Sequence, residues 1–224
     1  MRPGEPLVRW DWIAANLGEI GERTWDHVLM TLIAVTAGFA LSAVLSLLVL
    51  RWRGLYSPLL AVSGILYTIP SLALFALLVP VTGLSLLTAE IALTSYTLLI
   101  LLRNTISGLD GVPAEVVEAA NGMGYGRWQR LWRVELPLAT PAIVAGLRIA
   151  TVSTIGLVAI SALIGQTNLG SLIIRSGIRD SFPTAILVGA AGSVLLAVVA
   201  DLAFVGAQRH LTPWEQDGAP DRWN

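Results

Sequence analysis

Residues 118–141 read EAANGMGYGRWQRLWRVELPLATP. The stretch is polar, basic and rich in glycine, yet the runs on both sides of it are almost free of charge. Across 103–137 stand eight charges: Arg103, Arg127, Arg130 and Arg133 against Asp110, Glu115, Glu118 and Glu135. The whole chain of 224 residues is 55% hydrophobic and 13% charged, with a mean hydropathy of +0.73. Soluble domains carry about a quarter charged residues. Too few charges remain here to solvate a globule of this size, so lipid is the expected solvent and the polar stretch a segment outside it.

Working outward, residues 29–50 (LMTLIAVTAGFALSAVLSLLVL) hold no charge. At the helical rise they reach about 33 Å, enough to cross a hydrocarbon layer of about 30 Å. Arg51 and Arg53 close this run. The next charge-free run, 54–89, is too long for one span, and Pro80, Thr82 and Gly83 supply a turn within it. It divides into spans at 58–79 and 84–102, the second closed by Arg103. A fourth span covers 142–164, interrupted only by Arg148. A polar connector follows at 165–182, and a fifth span at 184–206 ends near Asp201, Arg209 and His210. The expected fold is all-α and integral to the membrane, with five transmembrane helices. Its divisions are an N-terminal segment 1–27, a five-span domain 28–206 with the polar segment 103–141 inside it, and a tail 207–224.

Five spans put the termini on opposite sides. Arginine in short flanking loops stays cytoplasmic. One side holds Arg51, Arg53, Arg103, Arg127, Arg130, Arg133, Arg148, Arg209 and Arg222, and the other Arg2, Arg9, Arg23, Arg175 and Arg179. Nine against five predicts the N-terminus outside, the C-terminus in the cytoplasm and the polar segment cytoplasmic. Near the N-terminus Trp10, Ile13, Leu17 and Ile20 recur at helical spacing, and Trp10, Trp12 and Trp25 suit the membrane–water boundary. An interfacial helix on the outer surface is expected. Small residues stripe two spans, Ala34, Gly38, Ser42 and Ser46 in the first and Gly189, Ser193 and Ala197 in the fifth. Such stripes let helix backbones approach closely, and packing within the bundle is the preferred reading of them.

The polar segment itself predicts two short helices. Pro113 can open the first, since its missing N–H costs nothing in a first turn. Glu115 and Glu118 suit the positive end of the dipole. Gly122 and Gly124 are expected to stop that helix by allowing positive φ. A second helix starts near Gly126, with Trp128, Leu131 and Trp132 on one face, and Pro137 is expected to break it before Pro141 leads into the fourth span. Helix, glycine elbow and helix, with the small pair Ala119 and Ala120 open to close contact, suit docking into a groove of another protein.

The signature EAA, three residues, Gly, nine residues, an aliphatic residue, any residue, then Leu-Pro marks permease subunits of ATP-binding-cassette importers. This chain resembles that family through Glu118, Ala119, Ala120, Gly124, Val134, Leu136 and Pro137, with Val134 where isoleucine is usual. Over roughly 28–214 a narrower resemblance holds. YTIPSLALFALLVPVTGL, LLRNTISGLDGVPAEVVEAANGMG and ALIGQTNLGSLIIRSGI are similar to permeases of osmoprotectant importers, which handle glycine betaine, carnitine and choline. The resemblance implies a type I importer (MetI-like) permease fold in a bacterial inner membrane. It implies that the seven motif residues couple to an ATPase. Expected partners are two ATPase subunits, a second permease subunit (the same chain or a different one), an extracytoplasmic substrate-binding protein and the lipid bilayer, and no nucleic acid. The chain is then not an enzyme: no catalytic residue, metal or cofactor of its own is expected, and ATP and Mg belong on the partner ATPase.

Single residues sharpen this. Glu90 lies about 9 Å inside its span by helix rise. An intramembrane carboxylate is a functional candidate, and here it could meet a cationic solute, reach the outer interface or pair with Arg175 or Arg179. Glu90 also departs from the osmoprotectant branch, where an apolar residue usually stands. Tyr67 and Tyr96 could offer π faces to a quaternary ammonium, and Pro70 should kink its helix. These four are the solute-path candidates. Arg148 is expected to snorkel or to pair with Asp201 or a loop acid. The connector 165–182 is expected to be a re-entrant or surface helix, on the face that meets the binding protein by resemblance. His27 and His210 are isolated at span ends and suggest no metal. Gly122, Gly124 and Gly126 only weakly echo a nucleotide loop, and no strand precedes them. All 14 basic residues are arginine and cysteine is absent, which excludes a Walker phosphate loop, disulfides and thiolate metal sites. The opening MRPGEPLVRWDW lacks the apolar core of a signal peptide. Other readings are a permease for an amino acid such as methionine or another small polar solute, and a membrane scaffold without transport. A membrane enzyme has the missing Lys and Cys and the lack of a clustered acid set against it.

Overall fold

A computed structural model describes residues 6–212, and their regular elements are all helical. Arg2, Arg222 and the tail beyond 212 lie outside the described residues. The helices are α1 (Trp10–Ala15), α2 (Leu17–Arg51), α3 (Tyr56–Thr68), α4 (Ser71–Thr82), α5 (Leu86–Asp110) and α6 (Ala114–Gly122). The continuous rod Arg127–Ile164 is α7, residues 169–179 form α8, and Pro183–Leu211 is α9. Four of these, α2, α5, α7 and α9, are long and apolar enough to cross a membrane, and the bent pair α3–α4 makes up to five spans.

The bend has a local cause. A residue before proline is pushed out of the α region. Ile69, ahead of Pro70, is extended at φ −66° and ψ 126°. The kink expected at Pro70 within the span 58–79 is therefore a full break, two helices meeting at 98°. At the N-terminus, Asn16 (φ −115°, ψ 18°) separates α1 from α2. The helix predicted through Trp10, Ile13, Leu17 and Ile20 is thus split, and the boundary drawn at 27/28 falls inside α2.

The bundle is built around α5. Met30, Ala34, Leu74, Phe75, Ala92, Leu93, Tyr96 and Val158 form its main core, drawn from α2, α4, α5 and α7. Lipid tails are as apolar as leucine, so close packing and satisfied polar groups hold such helices together. The first stripe supplies the packing. Ala34, Gly38, Ser42 and Ser46 are all buried, and a Cβ at Gly38 would stand 1.8 Å from Thr97 Oγ1. Some hydroxyls in α2 are answered locally: Thr31 and Thr36 donate to carbonyls four residues back at 2.9 and 2.6 Å, whereas the buried Ser42 and Ser46 hydroxyls have no partner among the described residues. The fifth-span stripe is only partly used. Gly189 packs on the Leu169 carbonyl, while Ser193 and Ala197 are half-buried.

The two ends of the bundle are distinct. At one, Arg53 of the α2–α3 link bridges Asp110 at 2.7 Å and Arg127 donates to the Leu50 carbonyl, which gathers the α2–α3 link, the C-terminus of α5 and the start of α7. At the other, α1, the start of α2, the end of α7 and α8 meet.

Candidate functional site

The EAA segment projects from the first of these ends. Gly124 sits at φ +81°, and a Schellman cap closes α6: Tyr125 N–H donates to Ala120 O at 3.1 Å and Gly124 N–H to Asn121 O at 2.9 Å. Only Gly124 uses positive φ, because Gly122 is the last helical residue of α6. Glu118 and Ala119 face solvent, while Ala120 is buried. Beside them Val116, Met123, Trp128 and Trp132 are exposed, the last three by 60% or more. Apolar side chains gathered on one exposed end mark an interaction surface. A cleft of about 570 Å³ separates α6 from the bundle, with Arg51, Arg53, Asp110, Glu118, Arg130 and Glu135 among its walls.

The expected break at Pro137 does not occur. Arg127–Ile164 is one helix of 38 residues, with a π turn at Leu131–Glu135 just ahead of Leu136 and Pro137. Proline removes a backbone donor and crowds the preceding turn, and a π turn widens the helix there. Val134, Leu136 and Pro137 are half-buried along this rod. Arg130 ties it to α6, donating to Glu135 Oε1 at 2.5 Å and to Asn121 Oδ1 at 2.7 Å. The elbow therefore connects α6 directly to a rod that continues as a span, so a push on α6 has a stiff element to act on.

The four solute-path candidates separate into two groups. Tyr67 and Tyr96 meet edge to face at 5.9 Å, and Tyr96 Oη donates to the Ile69 carbonyl freed by the bend before Pro70. These three residues brace the α3–α4 corner. Glu90 is apart from them. It is buried, and neither carboxylate oxygen has a hydrogen-bond partner, so of the alternatives the pairing with Arg175 or Arg179 is not made. Arg175 instead donates to Gly165 O at 2.8 Å. Glu90 precedes Thr97 by two helical turns and so lies on the α5 face that meets α2. Arg148 does pair with Asp201.

His27 is buried within α2 rather than at a span end, its Nε2 donating to Ile155 O at 2.9 Å. Asn168, at the start of α8, has a larger role than its sequence suggests. Its side chain is fully buried: Nδ2 donates to Val158 O and Ser161 Oγ, both at 3.0 Å, and Oδ1 accepts from Gly170 N at 2.8 Å. Arg23 donates to Ser171 Oγ at 2.8 Å, and Thr167 to Asp26 at 2.9 Å. Arg9 N donates to Thr184 Oγ1, and Trp12 meets Phe182 edge on at 5.1 Å. The Arg9 guanidinium beside Asp11 holds that carboxyl below the usual carboxylate range. The connector is thus locked to α7 and to the N-terminal segment. The only sequence signal for this is Asn followed by Leu-Gly-Ser, a helix cap.

Three kinds of likeness agree with this geometry. Residues 53–214 match the family described as the binding-protein-dependent transport system inner membrane component. The osmoprotectant import permease protein OsmW of Salmonella typhimurium is 38% identical over 203 residues, covering 88% of this chain and 94% of that one. The choline transport system permease protein OpuBB of Bacillus subtilis is 34% identical over 202 residues, 90% and 93% of the two chains. The carnitine transport permease protein OpuCD of Listeria monocytogenes is 32% identical over 210 residues, 94% of each. In fold, the chain superposes on an inward-facing MetNI methionine ABC transporter with a TM-score of 0.79 at 21% identity, over 88% of this chain and 97% of that one. This chain belongs to the binding-protein-dependent transport inner-membrane family, as a multi-pass permease subunit with the MetI-like fold.

Proposed function

We propose that this permease serves an ATP-driven importer of osmoprotectants of the glycine betaine, carnitine and choline class. The names of its relatives support the solute class. The exposed EAA elbow carries the mechanism: Glu118 and Ala119 are free to dock, and the elbow leads without a break into a membrane-spanning rod. In this reading Glu118, Ala119 and Gly124 sit in a groove of a separate ATPase subunit, and Ala120, buried within this chain, seats α6 beneath them. Val134, Leu136 and Pro137 carry its motion into α7. ATP and Mg bind to that ATPase, and this chain hydrolyses nothing. The elbow end faces the cytoplasm of a bacterium, and the end formed by α1 and α8 faces outward, where a substrate-binding protein delivers solute. Two permease subunits and two ATPase subunits complete the assembly. The α3–α4 corner braced by Tyr67, Tyr96 and Pro70 is the element of the solute path that can bend. Glu90, with both oxygens covered, is closed to solute in this conformation.

Proteoliposomes holding the permease, its ATPase and its binding protein test the reading. Glycine betaine, carnitine or choline should stimulate ATP hydrolysis and accumulate inside. If none of the three does either, the osmoprotectant assignment is wrong. In Glu118→Trp the permease should still reach the membrane while the ATPase is released or idles. Normal co-purification with intact uptake would remove the docking role from the elbow.

A further inference from the structure

Two charges interrupt helices otherwise built for lipid. Arg148 stands twelve residues after Leu136 and thirteen before Ser161, near the middle of the α-helical part of α7. Asp201 lies in α9, ten residues before its end at Leu211. The side chains meet fork to fork: Nε donates to Oδ1, and Nη2 to Oδ2 at 2.8 Å. This geometry is the strong, directional form of an ion pair.

The pair is not sealed inside the protein. The two side chains are 39% and 32% exposed. They border a groove of about 410 Å³, completed by Ala145, Ile149, Val152 and Ser153. Charge inside a membrane is expensive against lipid, and such residues characteristically face a bundle interior or a water-filled cavity and mark solute pathways. Ala145, Ile149 and Val152 give the groove an apolar side beside its charged pair.

What such a pair accepts follows from charge balance. A simple cation gains at Asp201 what it loses at Arg148, and a simple anion the reverse. A zwitterion loses at neither: its carboxylate takes Arg148 while its ammonium takes Asp201. When it leaves, the pair closes again, and no unpaired charge is buried at any stage. We propose that the Arg148–Asp201 pair is a contact site for zwitterionic solute on its way through the membrane, opening around the solute and closing behind it. The proposal rests on the osmoprotectant reading and divides that class: glycine betaine and carnitine carry both charges, choline only the ammonium.

The test uses the complete reconstituted importer. In the double variant Arg148→Gln with Asp201→Asn, uptake of glycine betaine and carnitine (kcat/KM) should fall about tenfold, in line with the loss of a charge-assisted contact. Choline uptake should change less than about twofold. Unchanged zwitterion uptake overturns the site. An equal loss of choline also overturns it, by showing that the pair merely fastens α7 to α9. A second measurement does not depend on the double variant folding. The chain has no cysteine, so Ser153→Cys places a single thiol in the groove. A water-soluble thiol reagent should modify it, and glycine betaine, but not choline, should slow the reaction during turnover. An unreactive thiol, or equal protection by both solutes, counts against the site. A wild-type importer that moves none of the three solutes removes the osmoprotectant reading and this inference with it, and does so before any variant is made.

Discussion

Two polar interruptions divide this membrane chain, and they are built in opposite ways. The elbow around α6 carries its apolar side chains outward: Val116, Met123, Trp128 and Trp132 are exposed. The start of α8 turns them in: Leu169 and Leu172 are almost fully buried, and Ile178 near its end is the exposed exception. A Cβ at Gly122 in the elbow would meet nothing within 4 Å, whereas one at Gly170 would stand 2.0 Å from the Ala159 carbonyl oxygen. Arginine side chains tie the elbow, Arg127 to the Leu50 carbonyl and Arg130 to Asn121 Oδ1, and buried neutral hydrogen bonds around Asn168 tie the connector. A segment that must receive force from a partner has to present a surface and keep some freedom. A segment that transmits or resists that force has to be fixed.

The contrast breaks most sharply at the glycines. Gly170→Val pushes a branched side chain into backbone that cannot move aside, at the upper end of overpacking costs, about 3 kcal/mol or more. The expected result is no monodisperse protein after extraction in detergent. Gly122→Ala should stay within about 1 kcal/mol of wild type by thermal unfolding, because the space is open and alanine favours helix. A folded, wild-type-like Gly170→Val would show that the connector is less tightly seated than the structure has it. Gly124→Val lies between them. The position has room but sits at φ +81°, which costs a branched residue about 1–3 kcal/mol. The protein should fold, while ATP hydrolysis should no longer follow solute. Retained coupling would mean that the shape of the elbow is not what the ATPase reads.

The same contrast explains what the sequence disclosed. Runs without charge located the spans, because lipid permits few charges and the counting is simple. The elbow was legible because its parts are local: a proline opening α6, acids in its first turn, Gly124 at the cap. The bend at Ile69–Pro70 was legible as a kink, but its 98° angle depends on Tyr96 and the helices packed around the corner. The unbroken passage through Pro137 was not legible, since a π turn leaves no composition signal. The connector was legible as a re-entrant or surface helix, but not its anchorage. Asn168, Ser171 and Arg23 are polar because they answer one another and the α7 backbone across long sequence distances, and one sequence alone does not reveal such pairing. Glu90 stood out as a carboxylate inside a span, but its lack of a partner is visible only in three dimensions.

A smaller effect separates the two asparagines. Asn168→Ala removes the Nδ2 donor shared by Val158 O and Ser161 Oγ and takes the side-chain acceptor from the buried Gly170 N–H, and a buried group left unsatisfied costs about 1–3 kcal/mol. Asn121→Ala at the elbow removes only an acceptor from Arg130 in an exposed position, where water replaces it, so less than about 1 kcal/mol is expected. Thermal unfolding of the two variants side by side measures the difference. Equal losses would mean that the connector network is wetter than its burial implies.

Salt gives the mildest test. The Arg53–Asp110 side chains are 59% and 44% exposed, so at the elbow end a tie of this kind is worth about 0–1 kcal/mol at low salt. Screening shortens from about 10 Å at 0.1 M salt to about 3 Å at 1 M. Raising salt over that range should weaken the tie and speed amide exchange across 114–131, by at most about fivefold for 1 kcal/mol. Exchange across 168–172 should not follow. Its central bonds join an amide side chain to a carbonyl and a hydroxyl out of contact with water, where dissolved ions neither reach nor compete. If both segments speed up together, charge rather than buried neutral bonding holds the connector, and the division between a compliant end and a fixed end disappears. If neither responds, the elbow is held by its Schellman cap and the packing of Leu131, and the ion pairs around it serve the docking partner instead of the fold.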